Sequence, residues 1–142
     1  MNIKIKKLHE NAVIPSYAKD GDCGLDLTAI NISTVDKGNY GYVEYDTGIS
    51  VEIPEGYVGL VYPRSSISNS GLILTNSVGV IDQNYRGSIK CRFKAIPNTS
   101  IYSVGDRVAQ LIIQPMIKVQ FELVEELSET NRGDLGFGST GK

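Results

Sequence analysis

The run Tyr42-Val43-Glu44-Tyr45-Asp46-Thr47-Gly48-Ile49-Ser50-Val51-Glu52-Ile53-Pro54 alternates apolar and polar residues almost without a break. A β-strand turns successive side chains to opposite faces, so this period of two predicts one half-buried strand. Val43, Tyr45, Thr47, Ile49, Val51 and Ile53 are expected on its inner face, with Glu44, Asp46, Ser50 and Glu52 on the outer one. Lys37-Gly38 before it and Pro54-Glu55-Gly56 after it are turn signals that bracket the strand.

The same period recurs on both sides. Strands are predicted from Asn2 to Leu8, Leu25 to Ile30, Tyr57 to Tyr62, Val78 to Ile81, Ser88 to Lys94, Arg107 to Ile113 and Lys118 to Val124, and only Ser65 to Ser70 reads as a short helical turn. With 15 Gly and 5 Pro as punctuation, this spacing predicts an all-β sandwich, jelly roll or barrel. No internal repeat, heptad or interdomain linker interrupts the 142 residues, a length that fits one hydrophobic core.

Charge and composition remove several function classes. Fourteen basic residues against 16 acidic ones, a formal net of -2, leave no broad positive field for nucleic acid or an anionic membrane. The apolar runs fall far below the roughly 20 residues that cross a bilayer, and no apolar leader follows Met1. Cys23 and Cys91 have no CxxC spacing, so a reducing compartment is expected: the cytoplasm, or the host-cell cytosol for a viral chain. His9, the single histidine, is expected on the surface; histidine metal clusters and a Ser-His-Asp triad are thereby disfavoured, and a carboxylate is the expected general base.

Several polar constellations carry potential chemistry. Arg132 to Lys142 reads RGDLGFGSTGK, whose last seven residues satisfy GxxxxGK. A Walker loop needs a strand before it and a helix after it, and neither is predicted, so what remains is a mobile strip of amides and hydroxyls with Arg132 and the flat ring of Phe137. Arg64-Ser65-Ser66 at a strand end could grip phosphate through a guanidinium fork and two hydroxyls, although from these residues alone an N-cap and turn is the better reading. Asp82 ends an apolar strand in Gly79-Val80-Ile81-Asp82-Gln83-Asn84-Tyr85-Arg86-Gly87, where partial burial is expected to raise its proton affinity. Asp26 and Asp106 also flank turns; for Asp106 an ion pair or turn acceptor is expected.

In sequence order, GLDLTA (24–29), PRSS (63–66), GVIDQNYRG (79–87), GDRVAQLI (105–112) and RGDLGFGSTG (132–141) resemble all five motifs of the homotrimeric dUTPase family. The resemblance spans nearly the whole chain. It implies a jelly-roll-like β core over residues 1–127, and an arm over residues 128–142 that closes an active site of a neighbouring subunit. It further implies hydrolysis of dUTP to dUMP and pyrophosphate, which lowers dUTP and supplies dUMP for thymidylate synthesis, with Mg2+ as cofactor.

By motif position Asp82 matches the general base, and Asp26 an acid that reaches Mg2+ through water. Arg64, Ser65, Ser66 and Gln110 match phosphate contacts. Asn76, the backbone at Gly79 and the Tyr85 ring match the base and sugar site on a hairpin between Leu74 and Tyr85, and Arg132, Phe137, Gly138, Ser139 and Thr140 match the closing arm. Cys23, Leu25, Ser66 and Asn84 depart from the commonest pattern without removing a catalytic group. The related dCTP deaminases share the fold and an Arg-Ser-Ser motif, but their glutamate base would fall at Arg92. A second, regulatory role, in which bound nucleotide controls a protein partner, is compatible with the same motifs.

Overall fold

The computed structural model describes residues 1–38 and 40–136. In it the decisive run forms two strands rather than one, β4 (Gly41–Asp46) and β5 (Ile49–Glu52). Between them Gly48 takes a φ of 63°, a left-handed conformation open to glycine, and its N–H donates to Asp46 Oδ1 at 2.8 Å. The inner face nevertheless survives the corner, because Val43, Tyr45, Thr47, Ile49, Val51 and Ile53 are all buried. Ser50 departs from its expected outer position: it too is buried, and its hydroxyl donates to the Arg86 carbonyl at 2.8 Å.

Eight further strands complete the fold. They are β1 (Lys4–Lys7), β2 (Leu25–Thr28), β3 (Asn31–Asp36), β6 (Tyr57–Tyr62), β7 (Leu72–Leu74), β8 (Gly79–Ile81), β9 (Lys90–Ala95) and β10 (Arg107–Pro115), with a 3-10 turn at Ser65–Asn69. One four-stranded sheet runs β2-β10-β6-β8, the other β3-β4-β9-β7, and β1 pairs with β5; the pairings are antiparallel. Leu27, Val61, Val108 and Leu111 of the first sheet and Val43, Tyr45, Leu74 and Phe93 of the second belong to one buried apolar cluster. Tyr45, Phe93 and Tyr102 meet edge to face with ring centroids 5.6 to 6.0 Å apart, a favourable quadrupole geometry.

Several expectations are corrected. No strand forms over residues 118–124, and β10 is the last strand of the described residues. The alternation there is intact, but Val119, Phe121 and Leu123 are 71, 94 and 99% exposed, because no surface among the described residues covers them. Strands β3 and β7 escape the periodic signal: β3 shows mostly polar, exposed side chains, and β7 is three residues long. Nor do β7 and β8 form a hairpin. β7 pairs with β9 and β8 with β6, so the loop between them crosses from sheet to sheet.

Candidate active site

Register in the first sheet gathers one group of polar side chains. Gln110 of β10 lies opposite Asp26 of β2 on one side and Tyr62 of β6 on the other, so the three occupy one row, and Arg64 follows just beyond β6. Arg64 Nε donates to Asp26 Oδ1 at 2.8 Å and Arg107 Nη1 to Asp26 Oδ2 at 3.0 Å, so one carboxylate orients two guanidinium groups. Gln110 Nε2 donates to the Pro63 carbonyl at 3.0 Å, and a Cβ at residue 24 would collide with the Gln110 amide, which accounts for Gly24. These groups, with Lys19 and Ser65, line a cavity of about 590 Å³. Lys19, Arg64 and Arg107 present donors that suit the oxygens of an anion. Ser66 is exposed in the 3-10 turn beside it.

A second group collects at the far end of the same sheet. Asn76, Asp82 and Tyr85 share a cavity of about 390 Å³ with Thr75, Lys90 and Arg92. Asp82 opens a turn closed by the Tyr85 N–H on its carbonyl at 3.1 Å, and Gln83 Nε2 ties that turn to the Tyr57 carbonyl at 3.3 Å. The Tyr85 hydroxyl donates to the Ser88 carbonyl at 2.9 Å, and the ring covers Gly87, where a side chain would not fit. Gly79 is buried against Val61, and a Cβ there would stand 3.2 Å from Asn76 Nδ2, so the Gly79 backbone and the Asn76 amide are neighbours. Asp82 itself is exposed among the described residues, contrary to the partial burial expected for it.

The two groups do not meet among the described residues. Ile81 pairs with Gly59, which sets Asp82 beside the start of β6, whereas Arg64 follows its end. Six residues of extended chain correspond to about 20 Å. Arg132 is exposed, with Nε donating to the Leu135 carbonyl at 2.8 Å, and Phe137, Gly138, Ser139 and Thr140 lie outside the described residues. Asp106 accepts the Ser103 N–H at 2.7 Å, a turn acceptor as expected, and His9 is exposed.

Sequence reasoning missed Arg107, Lys19, Lys90 and Arg92 as cavity residues. Strict alternation places Arg107 and Gln110 on opposite faces; a register shift between Arg107 and Ala109 turns both toward the same cavity. Lys90 and Arg92 bear on the second cavity through their ladder with β4. Lys90 Nζ donates to Glu44 Oε1 at 2.8 Å, and Arg92 Nε to Glu44 Oε2 at 2.7 Å. The Lys90 hydrogen bond, opposed by burial and aided by Arg92, holds the Glu44 carboxyl below its ordinary value. No cluster of three or more His, Cys, Asp or Glu suited to a metal occurs among the described residues. Asp26 keeps lone pairs beside its two guanidinium partners, enough to accept a metal-bound water but not to form a protein cage.

A guanidinium-lined cavity suited to an anion and a separate carboxylate-and-ring cavity stand on one all-β scaffold. The sequence profile of the dUTPase family matches residues 10–141. The deoxyuridine 5'-triphosphate nucleotidohydrolase of Corynebacterium glutamicum is 46% identical over 99% of this chain and 95% of its own length. That of Hydrogenobaculum sp. is 41% identical over 99% of each. Among solved structures, the Staphylococcus bacteriophage 80alpha dUTPase with dUPNHPP matches with a TM-score of 0.81 at 27% identity, covering 99% of both chains. A phage phi11 dUTPase variant described with a structural Mg(II) ion matches at 0.72 and 25% identity, covering 89% of this chain and 98% of its own. The chain belongs to the dUTPase family.

Proposed function

We propose that this dUTP diphosphatase assembles its active sites between the subunits of a homotrimer, and that Asp82 is the general base. Asp82 takes a proton from water as the water oxygen bonds to the α-phosphorus; the bond from that phosphorus to the α,β-bridging oxygen breaks, and pyrophosphate leaves with the electron pair. Arg64, Ser65, Ser66 and Gln110 hold phosphate oxygens and stabilise the charge that develops on them. Asn76 and the Gly79 backbone read the uracil edge, and the Tyr85 ring packs under the deoxyribose and excludes a 2′-hydroxyl. The arm, residues 128–142, brings Arg132, Phe137, Gly138, Ser139 and Thr140 over a neighbour's site, while residues 1–127 form the core. Asp26 would hold Mg2+ through a water, and the ion, when bound, would supply neutralisation of phosphate charge. A cytoplasmic setting suits this chemistry, and no helix of the described residues is long and apolar enough to cross a membrane.

The observation that carries this reading is the separation of Asp82 from the Arg64 cavity along β6, which no side chain among the described residues spans. Complementation tests it. Asp82→Asn and Arg64→Met chains, each inactive alone, are unfolded together in equal amounts and refolded. Pyrophosphate release from dUTP is expected to return to about a quarter of the unmutated rate, the share of sites that draw both intact residues from different chains. A mixture as inactive as its components would overturn the shared site.

A further inference from the structure

The outer face of the second sheet carries an ordered ladder of charge beside the Asp82 cavity. Register sets Glu44 opposite Arg92 and Asp46 opposite Lys90. Arg92 is fixed from two directions: Nε donates to Glu44 Oε2 at 2.7 Å, and Cζ lies 4.6 Å from the centroid of the Tyr42 ring. Its carbonyl accepts both the N–H and the hydroxyl of Thr75, at 2.9 and 3.1 Å, which ties β9 to the loop that carries Asn76. Among the described residues neither Nη of Arg92 has a hydrogen-bond partner, although the residue lines the cavity.

Two charge states are available to such a wall. A net cation would suit phosphate, but here Glu44 and Asp46 balance Lys90 and Arg92, so the field is nearly neutral and what remains is directional. A guanidinium held in plane with unfilled N–H donors selects a carbonyl acceptor and repels an amino donor. Uracil and cytosine both carry a 2-carbonyl; they differ at N3, a donor in uracil and an acceptor in cytosine, and at position 4, where uracil has an acceptor and cytosine an amine.

We infer that Arg92 is a base-selecting residue, whose guanidinium, held by Glu44 and Tyr42, donates to the 4-carbonyl of uracil and rejects the 4-amino group of cytosine. The inference rests on reading this cavity as the nucleoside site. Arg92→Met keeps the length of the stem and removes the donors. In the full-length enzyme with magnesium it is expected to raise KM for dUTP about three- to tenfold, the factor of one ordinary hydrogen bond, with kcat little changed. The ratio of kcat/KM for dUTP over dCTP falls by at least that factor, while the ratio over dTTP, which differs from dUTP at position 5, stays put. Arg92→Lys restores part of the lost preference. Calorimetric titration with dUMP and dCMP gives the same comparison without turnover.

Tyr85→Ala serves as the reference for the cavity itself. If it weakens dUMP binding while Arg92→Met leaves dUMP, dCMP and all kcat/KM ratios unchanged, Arg92 does not select the base. If neither substitution alters nucleotide binding, the cavity is not the nucleoside site and the inference falls with it.

Discussion

Two aspartates at opposite ends of one sheet have opposite surroundings. Asp26 accepts a guanidinium on each oxygen and is largely buried, whereas Asp82 is exposed and has no side-chain hydrogen bond or ion pair among the described residues. A carboxylate with two strong donors already in place is suited to holding arginines in position; one with open lone pairs is suited to accepting a proton from water. Their difference lies in neighbours, since both are aspartates in or just past an outermost strand of the sheet.

The sharpest way to break this contrast is to neutralise each acid. Asp82→Asn is expected to lower kcat by about a hundred- to ten-thousandfold with KM little changed, read by single-turnover pyrophosphate release. Asp26→Asn keeps the shape but weakens both guanidinium contacts, so KM for dUTP should rise about tenfold or more, with the smaller effect on kcat. If Asp26→Asn abolished kcat at saturating dUTP while Asp82→Asn affected only KM, the roles would be reversed.

Smaller effects sharpen the picture of the two cavities. Cys23 is exposed and lines the Arg64 cavity, whereas burial pushes the Cys91 thiol up to about 12. A thiol reagent at pH 8 should therefore modify one equivalent in the native protein and two after denaturation, and a bound non-hydrolysable dUTP analogue should slow the first reaction. The Glu44 ladder gives the mildest signal. Its carboxyl sits below the ordinary 4.5 in the fold, so the unfolded chain binds that proton more readily. The resulting stabilisation is full above pH 4.5 and is lost as pH falls through the folded value. Unfolding free energies from denaturant titrations should fall between pH 6 and pH 3 more in the unmutated chain than in Glu44→Gln, by under about 1 kcal/mol for such a half-exposed pair.

Two alternating stretches show how much of this was legible in the chain. Val43 to Ile53 and Lys118 to Val124 have the same period, yet the first is buried inside the sandwich and the second stands almost wholly exposed. Periodicity states which side chains share a face and nothing about what covers it. The corner at Gly48 likewise leaves the inward-facing set buried, although Ser50, expected outside, is buried with it. The site residues were legible mainly as ordered motifs: the chain places Asn76, Gly79, Asp82 and Tyr85 together and Asp26, Arg64 and Gln110 together, but not the two sets with each other.

By itself the sequence determined an all-β architecture, its buried face and the order of its polar motifs, since alternation, turn residues and short-range spacing are local properties of a polypeptide. Only the tertiary structure decided that Arg107 shares the Asp26 carboxylate, that Arg92 stands at the wall of the Asp82 cavity, and that Asp82 and Arg64 lie at opposite ends of β6. Those facts depend on strand register and on a bulge, which arise from pairing between residues far apart in the chain and leave no period in the sequence.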